Sequence, residues 1–315
     1  MSMQEGQQGG QFSLADAAVE EARQPENEEK RHSRLHAPGW LRIIWQNKKS
    51  RVGLVMLLIF ALIAILAPLL APYDPHDTQF FASEQPSRAH WLGTTQAGED
   101  ILSQLIWGAR TSLIIGALAG TFSTLIGLII GMTAGYAGGL LDDILSFFIN
   151  LALVVPTLPL MITLSAYSQV TGIALIIFVI SITGWGWGAR IKRSQIITLR
   201  ERDYITASIF AGDPMWRIIF REIMPNMTSL IVASFIGACA AAIGAEAGLA
   251  FLGLGDPQTV SWGTMLMWAN NSGAMLTGQW AYLVAPGLTL ALLITSLTLI
   301  NFGIDAISNP HLREE

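Results

Sequence analysis

Residues 113–135 read LIIGALAGTFSTLIGLIIGMTAG, and this stretch contains no charged side chain. An α-helix rises about 1.5 Å per residue and the hydrocarbon layer of a bilayer is about 30 Å thick, so about 20 apolar residues suffice to cross it. The segment therefore predicts a membrane-spanning helix.

Similar apolar segments recur along the chain. The whole sequence is 52% hydrophobic and 13% charged, whereas soluble domains carry roughly 25% charged residues. We predict an all-α fold, a polytopic membrane helix bundle of about six transmembrane helices. Pro156 and Pro159 are expected to kink the third of them. In addition to 113–135, the predicted spans are 52–71, 144–167, 173–187 (short, but extendable at both ends), 229–254 and 283–302.

Lys and Arg residues are distributed unevenly between these spans. Eight precede the first span and seven lie between the fourth and fifth, but only Arg88 and Arg110 lie between the first and second. Because short cytoplasmic loops are enriched in Lys and Arg, the sequence predicts a multi-pass protein of the cytoplasmic membrane. Both termini are expected in the cytoplasm.

The regions outside the spans differ in composition. Residues 1–37 are polar and predict a disordered cytoplasmic tail. Residues 38–51 mix Trp and Ile with basic residues, which predicts an interfacial amphipathic helix; an ordinary charged flank is the alternative. The remaining regions are the first span (52–71), an extracytoplasmic loop (72–110), a core with five spans (111–304) that includes a cytoplasmic loop (190–226), and a cytoplasmic tail (305–315).

The loop at 190–226 is too charged to span a membrane and too long for a tight turn. Its apolar residues have helical spacing, and Gly212, Asp213 and Pro214 interrupt it, which predicts a helix, a turn and a second helix. Asp213 is expected to cap the second helix, with Pro214 at its first position. Such a hairpin is suited to docking another protein; a solvated charged face is the alternative.

Two stretches of this loop, ITASIFAG (205–212) and RIIFREIMPN (217–226), resemble the Glu-Ala-Ala-x3-Gly-x9-Ile-x-Leu-Pro loop of ABC importer permeases. Gly212 and Pro225 have the required spacing. Four residues depart from the pattern: Thr206, Ser208, Glu222 and Met224. The resemblance implies that this loop couples the permease to an ATPase subunit, through Tyr204, Thr206, Ala207, Ser208, Gly212, Asp213, Pro214, Arg217 and Pro225.

Other motifs resemble one branch of that family, the second permease of dipeptide, oligopeptide and nickel importers. They are HWLGTTQAGEDILSQLIWGAR (90–110), AGYAGG (134–139) followed by Asp142, EAGLAFLGLG (246–255), SWGTM (261–265) and NPHLR (309–313). The resemblance implies a type I ABC importer permease fold and half of a translocation pathway. It also implies peptides as the cargo, with oligosaccharides or nickel as alternatives.

The same resemblance implies a set of partners. These are a homologous second permease, two ABC ATPase subunits that carry ATP and Mg²⁺, an extracytoplasmic substrate-binding protein and the lipid bilayer. No nucleic acid partner and no cofactor bound by this chain are expected.

Motifs for enzymatic chemistry are absent from the sequence. None of the four Lys residues lies in a Gly-x4-Gly-Lys-Ser/Thr phosphate loop, and no His-Glu-x-x-His occurs. We therefore predict a permease subunit with no catalytic residues, no ATPase site and no metal site. Three alternatives stay open: a proton- or sodium-driven transporter, a membrane-embedded enzyme and a passive channel.

Polar residues within or beside the spans are candidates for the pathway, because burying them in a membrane is costly. Glu246 is the clearest, either as a gate or as a carboxyl that joins two helices through hydrogen bonds. The same two interpretations apply to Asn150, Thr157 and Gln169, and also to Asn301.

Overall fold

A computed structural model describes residues 47–168 and 172–308, with side chains up to residue 304. Within those ranges the regular structure is helical, in agreement with the predicted all-α fold. The helices are α1 (Lys48–Ile65), α2 (Ala67–Leu70), α3 (Ile101–Ala137), α4 (Gly139–Val154), α5 (Thr157–Tyr167), α6 (Ile173–Arg200), α7 (Asp203–Phe210), α8 (Met215–Arg217), a π-helix (Ile218–Ile223), α9 (Met224–Asn226), α10 (Thr228–Phe251), α11 (Trp262–Asn271) and α12 (Trp280–Ser308).

Fewer helices than the predicted six are long and apolar enough to cross a membrane. In the described ranges these are α3, α6, α10 and α12, with a fifth span if α4 and α5 are counted together. The first predicted span, 52–71, is divided into α1 and α2 at Leu66. The first turn of α1 also carries Lys48, Lys49 and Arg51, so α1 is not among these helices.

The third predicted span is broken rather than kinked. The axes of α4 and α5 differ by 88°, and the break lies at Val155 and Pro156. Pro156 is the N-cap of α5 and Pro159 lies in its first turn, where a missing backbone N–H leaves no hydrogen bond unmade. The two prolines therefore start a new helix.

Two helices extend well beyond their apolar parts. α3 starts at Ile101, where the Asp100 side chain caps it by accepting a hydrogen bond from the Ser103 N–H, so the predicted loop 72–110 ends at residue 100. α6 continues to Arg200, which makes residues 190–200 helical and shortens the predicted cytoplasmic loop. Apolar content marks only the part of a helix inside the bilayer, whereas backbone hydrogen bonding continues beyond it.

Small residues let α3 lie close to its neighbours. A Cβ on Gly131 would lie 2.5 Å from the Ala189 carbonyl oxygen of α6, and one on Gly120 would lie 2.6 Å from the Cys239 sulfur of α10. Cys239 is buried. Close approach of this kind maximises van der Waals packing between helices in a membrane.

Lys192 illustrates a limit of the charge count. The sequence treats it as a basic residue of a cytoplasmic loop, but its side chain is fully buried in α6 and donates a hydrogen bond to the Gly188 carbonyl oxygen at 3.4 Å. Because α6 continues through this region, residue 192 faces other helices instead of water.

The loop between α2 and α3 is tied to the loop before α12. The Gln279 side chain donates to the Thr94 carbonyl oxygen at 3.0 Å, and Gln96 donates to the Ser272 carbonyl oxygen at 2.8 Å. His90 and Asp100 form a buried pair at 2.9 Å inside the first loop. These contacts hold the two loops together at one end of the bundle.

Several predicted features lie wholly or partly outside the described residues. They are the tail 1–37, residues 38–46 of the interfacial helix, Gln169, and residues 309–315. Residues 48–51 of the predicted interfacial helix form the first turn of α1. The helix continues past residue 52 without a break, so these residues are not a separate helix.

Candidate functional site

The predicted helix, turn and helix are present at residues 203–226. α7 ends in a Schellman motif: the Gly212 N–H donates to the Ile209 carbonyl oxygen at 3.0 Å, and the Asp213 N–H donates to the Ser208 carbonyl oxygen at 3.1 Å. Gly212 has φ of 81°, a left-handed conformation that residues with a Cβ adopt at a steric cost. We refer to residues 203–226 as the hairpin.

The predicted helix cap is wrong. Pro214, not Asp213, is the N-cap of α8, and it makes no side-chain capping bond. Asp213 instead accepts a hydrogen bond from Arg217 Nη1 at 2.9 Å, one helical turn further on. Both side chains are partly exposed, so this ion pair stabilises the turn only modestly.

The far end of the hairpin contains the π-helix. The Met224 N–H donates to the Ile219 carbonyl oxygen, five residues back. Pro225 follows directly and has no N–H, and a widened turn is a common way for a helix to accommodate such a residue. Asn226 then donates to the Tyr204 hydroxyl at 3.3 Å, so the two ends of the hairpin are joined.

One face of the hairpin is buried against the long helices. Ile205, Ile218 and Ile223 are almost completely inaccessible, and they form one apolar cluster with Ile196 of α6 and Met132 of α3. Packing of this kind fixes the hairpin on the ends of α3 and α6.

The hairpin also exposes large apolar side chains. Phe210 is 87% exposed, Trp216 is 64% exposed and Phe220 is 61% exposed. We call these three residues the aromatic face. Large exposed aromatic residues are typical of protein interaction surfaces, where Trp in particular contributes much of the binding free energy.

The residues that the sequence predicted for coupling are all exposed or partly exposed. Thr206 and Ser208 donate to backbone carbonyl oxygens four residues earlier, Arg202 and Tyr204, and Ala207 is exposed. Sequence reasoning did not single out Phe210, and it counted Trp216 and Phe220 only among the apolar residues with helical spacing.

The predicted pathway residues are not brought together. Thr157 lines a cavity of about 220 Å³ between α3, α5, α6 and α10, together with Ser123, Gly184 and Ala241. Asn150 is exposed and accepts a hydrogen bond from Arg190 at 3.3 Å. Glu246 lines a different, smaller cavity.

Glu246 joins α10 to α11. Its Oε1 atom accepts a hydrogen bond from the Ser261 hydroxyl at 2.6 Å, and Ser261 is the N-cap of α11 with a complete capping box. Trp262 follows, and its indole N–H donates to the Leu105 carbonyl oxygen of α3 at 2.9 Å. The carboxyl therefore belongs to a buried junction of three helices.

The described residues include no group of three or more His, Cys, Asp and Glu side chains that are placed to hold a metal ion. The hairpin itself has no buried titratable side chain. Its exposed aromatic side chains are suited to binding another protein.

Two protein-family models match most of the chain. Residues 127–314 match the family model described as binding-protein-dependent transport system inner membrane component. Residues 40–86 match the N-terminal TM domain of oligopeptide transport permease C.

Two curated relatives and one solved structure extend this comparison. The dipeptide transport system permease protein DppC of Bacillus subtilis is 33% identical, with 90% of this chain and 88% of the relative covered. The oligopeptide transport system permease protein OppC of Mycobacterium tuberculosis (strain H37Rv) is also 33% identical, with 85% and 92% covered. Inward-facing MetNI methionine ABC transporter shares the fold, with a TM-score of 0.52 and 19% identity over 67% of this chain and 97% of that chain.

Proposed function

Because the chain belongs to the family of binding-protein-dependent transport system inner membrane components, we propose that it forms half of a translocation pathway for peptides. The membership agrees with the resemblance seen in the motifs, and the fold is that of type I ABC importer permeases. The names of the relatives, which carry dipeptides and oligopeptides, support peptides as the cargo. Oligosaccharides and nickel remain the alternatives.

The aromatic face of the hairpin carries this proposal. It is an exposed apolar surface on a segment that is otherwise fixed to the ends of α3 and α6. We propose that it docks on an ATPase subunit, which supplies the ATP and Mg²⁺ chemistry that this chain lacks. A push on the hairpin then reaches α3 and α6 directly.

The second permease partner is supported by the surface of α10. Only 17% of the apolar 18-residue stretch of α10 is buried, whereas 44% of the corresponding stretch of α3 is buried. Its uncovered residues include Gly237, Ala241 and Gly244, a small-residue surface that favours a close protein neighbour over lipid. The cavity beside Thr157 opens next to this surface and is a candidate part of the pathway.

The orientation follows from charge. Residues 190–221 contain six Arg residues, and the positive-inside rule puts this region in the cytoplasm with both termini. The loops 72–100 and 252–279 then face the outside, where a substrate-binding protein delivers cargo.

The test uses the complete transporter in proteoliposomes. Phe210→Glu combined with Trp216→Glu is expected to abolish co-purification of the ATPase subunits and ATP-driven peptide uptake, since a charge replaces each apolar anchor. Phe81→Glu is the matched control, because Phe81 is an equally exposed aromatic residue (85%) of the opposite loop. It should leave ATPase co-purification unchanged.

Deletion of residues 207–217 extends the test. The chain should still insert in the membrane, while ATP hydrolysis no longer drives uptake. Peptide uptake at the native rate in the deletion or in the double variant contradicts the proposal.

A further inference from the structure

A small, partly open cavity lies where the end of α10 meets the beginning of α11. Its volume is about 10 Å³, which is space for one water-sized particle. Its polar wall consists of two carboxylate residues and three hydroxyl residues, namely Glu246, Asp256, Thr259, Ser261 and Thr264. None of the residues that line it is Lys, Arg or His.

Glu246 leaves one acceptor atom unused in this cavity. The residue is 1% exposed, and its Oε1 atom accepts from Ser261. Oε2 is buried and has no hydrogen-bond partner among the described residues, although the Ser112 hydroxyl lies beside the carboxyl. Leaving a buried carboxylate oxygen unpaired is unfavourable, because its desolvation is not compensated.

Asp256 brings a second carboxylate to the same cavity. Its Oδ2 atom accepts from the Thr259 hydroxyl at 3.2 Å and its Oδ1 atom accepts from the Gln258 N–H at 3.0 Å. The N-terminus of α11, a ten-residue helix capped by Ser261, adds a partial positive charge of about one half. This dipole compensates only part of one carboxylate charge, and the residues that line the cavity supply no positive side chain.

We propose that this cavity binds one Ca²⁺ ion, with Glu246 and Asp256 as its carboxylate ligands. Oxygen atoms are the ligands that Ca²⁺ takes, and it accepts irregular arrangements of them. Mg²⁺ usually retains several waters, for which a cavity of this volume has no room. Two carboxylates also balance the charge of a divalent ion, which a single Na⁺ ion does not.

The proposed ion adds a further link between the end of α10 and the loop that follows it. Glu246 belongs to α10, whereas Asp256 belongs to the loop that leads into α11. An ion held by both fixes the end of α10 to that loop. This inference is independent of the cargo, and it holds for any substrate of the transporter.

The first test is thermal unfolding of the complete transporter complex in nanodiscs after treatment with a chelator. Adding Ca²⁺ should raise the unfolding midpoint of this subunit by a few degrees in a saturable manner, because the ion binds only the folded state. Glu246→Gln and Asp256→Asn should each lose that rise. Asp74→Asn, which alters an exposed carboxylate of another loop, should retain it.

The second test uses Tb³⁺ as a Ca²⁺ substitute. Trp262 directly follows Ser261 in the sequence, so excitation of Trp should sensitise the luminescence of bound Tb³⁺. Added Ca²⁺ should displace Tb³⁺ and lower the luminescence. If the Glu246→Gln variant does not assemble, the Asp256→Asn variant alone serves as the test, because Asp256 lies in a loop. An equal Ca²⁺ response in native protein and Asp256→Asn, an equal rise with Na⁺ or Mg²⁺, or no response at all overturns the proposal.

Discussion

At the residue scale, two arginines of α6 hold the beginning and the middle of α4. Arg193 donates from Nε and Nη2 to the two carboxylate oxygens of Asp142, at 2.6 and 2.7 Å, and Arg190 donates to Asn150. A guanidinium group that bonds both oxygens fixes orientation as well as distance. In the sequence these arginines served only to orient the chain, whereas in the fold they position α4 on α6.

The Asp142–Arg193 pair gives a prediction at this scale. Asp142→Asn should lower the free energy of unfolding by about 1–3 kcal/mol, because it removes a charge-assisted, two-point hydrogen bond. Thermal unfolding of the purified chain in detergent measures the effect. Asp143→Asn is the control, since Asp143 is exposed beside it and should change the midpoint little. Indistinguishable midpoints for the two variants would argue against a role for this pair in stability.

At the scale of the elements, α3 and α6 act as one unit beneath the hairpin. Gly127, Gly131 and Gly135 recur every four residues on α3 and face the backbone of α6, with Gly135 close enough that a Cβ would lie 2.8 Å from the Arg193 carbonyl oxygen. The hairpin cluster continues from these helices through Ile196 and Met132. Since α3 has 37 residues, it extends about 55 Å, enough to carry a movement of the hairpin across the bilayer.

Adding a side chain at the contact between α3 and α6 should therefore lower the stability of the chain. Gly131→Ala is expected to destabilise the isolated chain by about 1–3 kcal/mol, because the new Cβ overlaps the Ala189 carbonyl oxygen. Gly237→Ala on α10 is the control: a Cβ there meets no atom within 4 Å, and the higher helix propensity of Ala should give a neutral or slightly stabilising change. Native stability of Gly131→Ala in the same thermal assay would show that the helices separate freely.

At the scale of the whole molecule, the helices differ in how much of their surface other helices cover. α3 is surrounded by α1, α6 and α10, whereas α10 keeps an uncovered face with Gly237, Gly244 and Gly248. In the described part of the chain, no helix packs closely against this small-residue face of α10. The proposed pairing with a second permease accounts for this face.

Bulk on that face should affect assembly and not folding. Gly237→Leu is expected to leave the thermal midpoint of the isolated chain unchanged, because nothing occupies the space there. It should reduce recovery of the second permease on co-purification, since the two helices could no longer approach closely. Ala291→Leu, on an exposed part of α12, is the control and should recover the native amount. Full assembly of Gly237→Leu would assign this face to lipid.

The sequence by itself determined the helical membrane class, the approximate position of most apolar segments, the helix, turn and helix of the hairpin, and the family. Each of these depends on local composition or on spacing along the chain, which a sequence states directly. The motif positions Gly212 and Pro225 are of this kind, because their roles arise from backbone geometry within a few residues.

Only the tertiary structure decided which surface covers each apolar residue. Ile205 and Phe210 are both apolar and lie on the same short helix, yet one is buried and the other is exposed. The same holds for the burial of Lys192, for the ends of α3 and α6, and for the 88° break before Pro156. The physical reason is that apolar side chains favour leaving water whether the covering surface is lipid, the same chain or a partner, so composition alone does not distinguish the three.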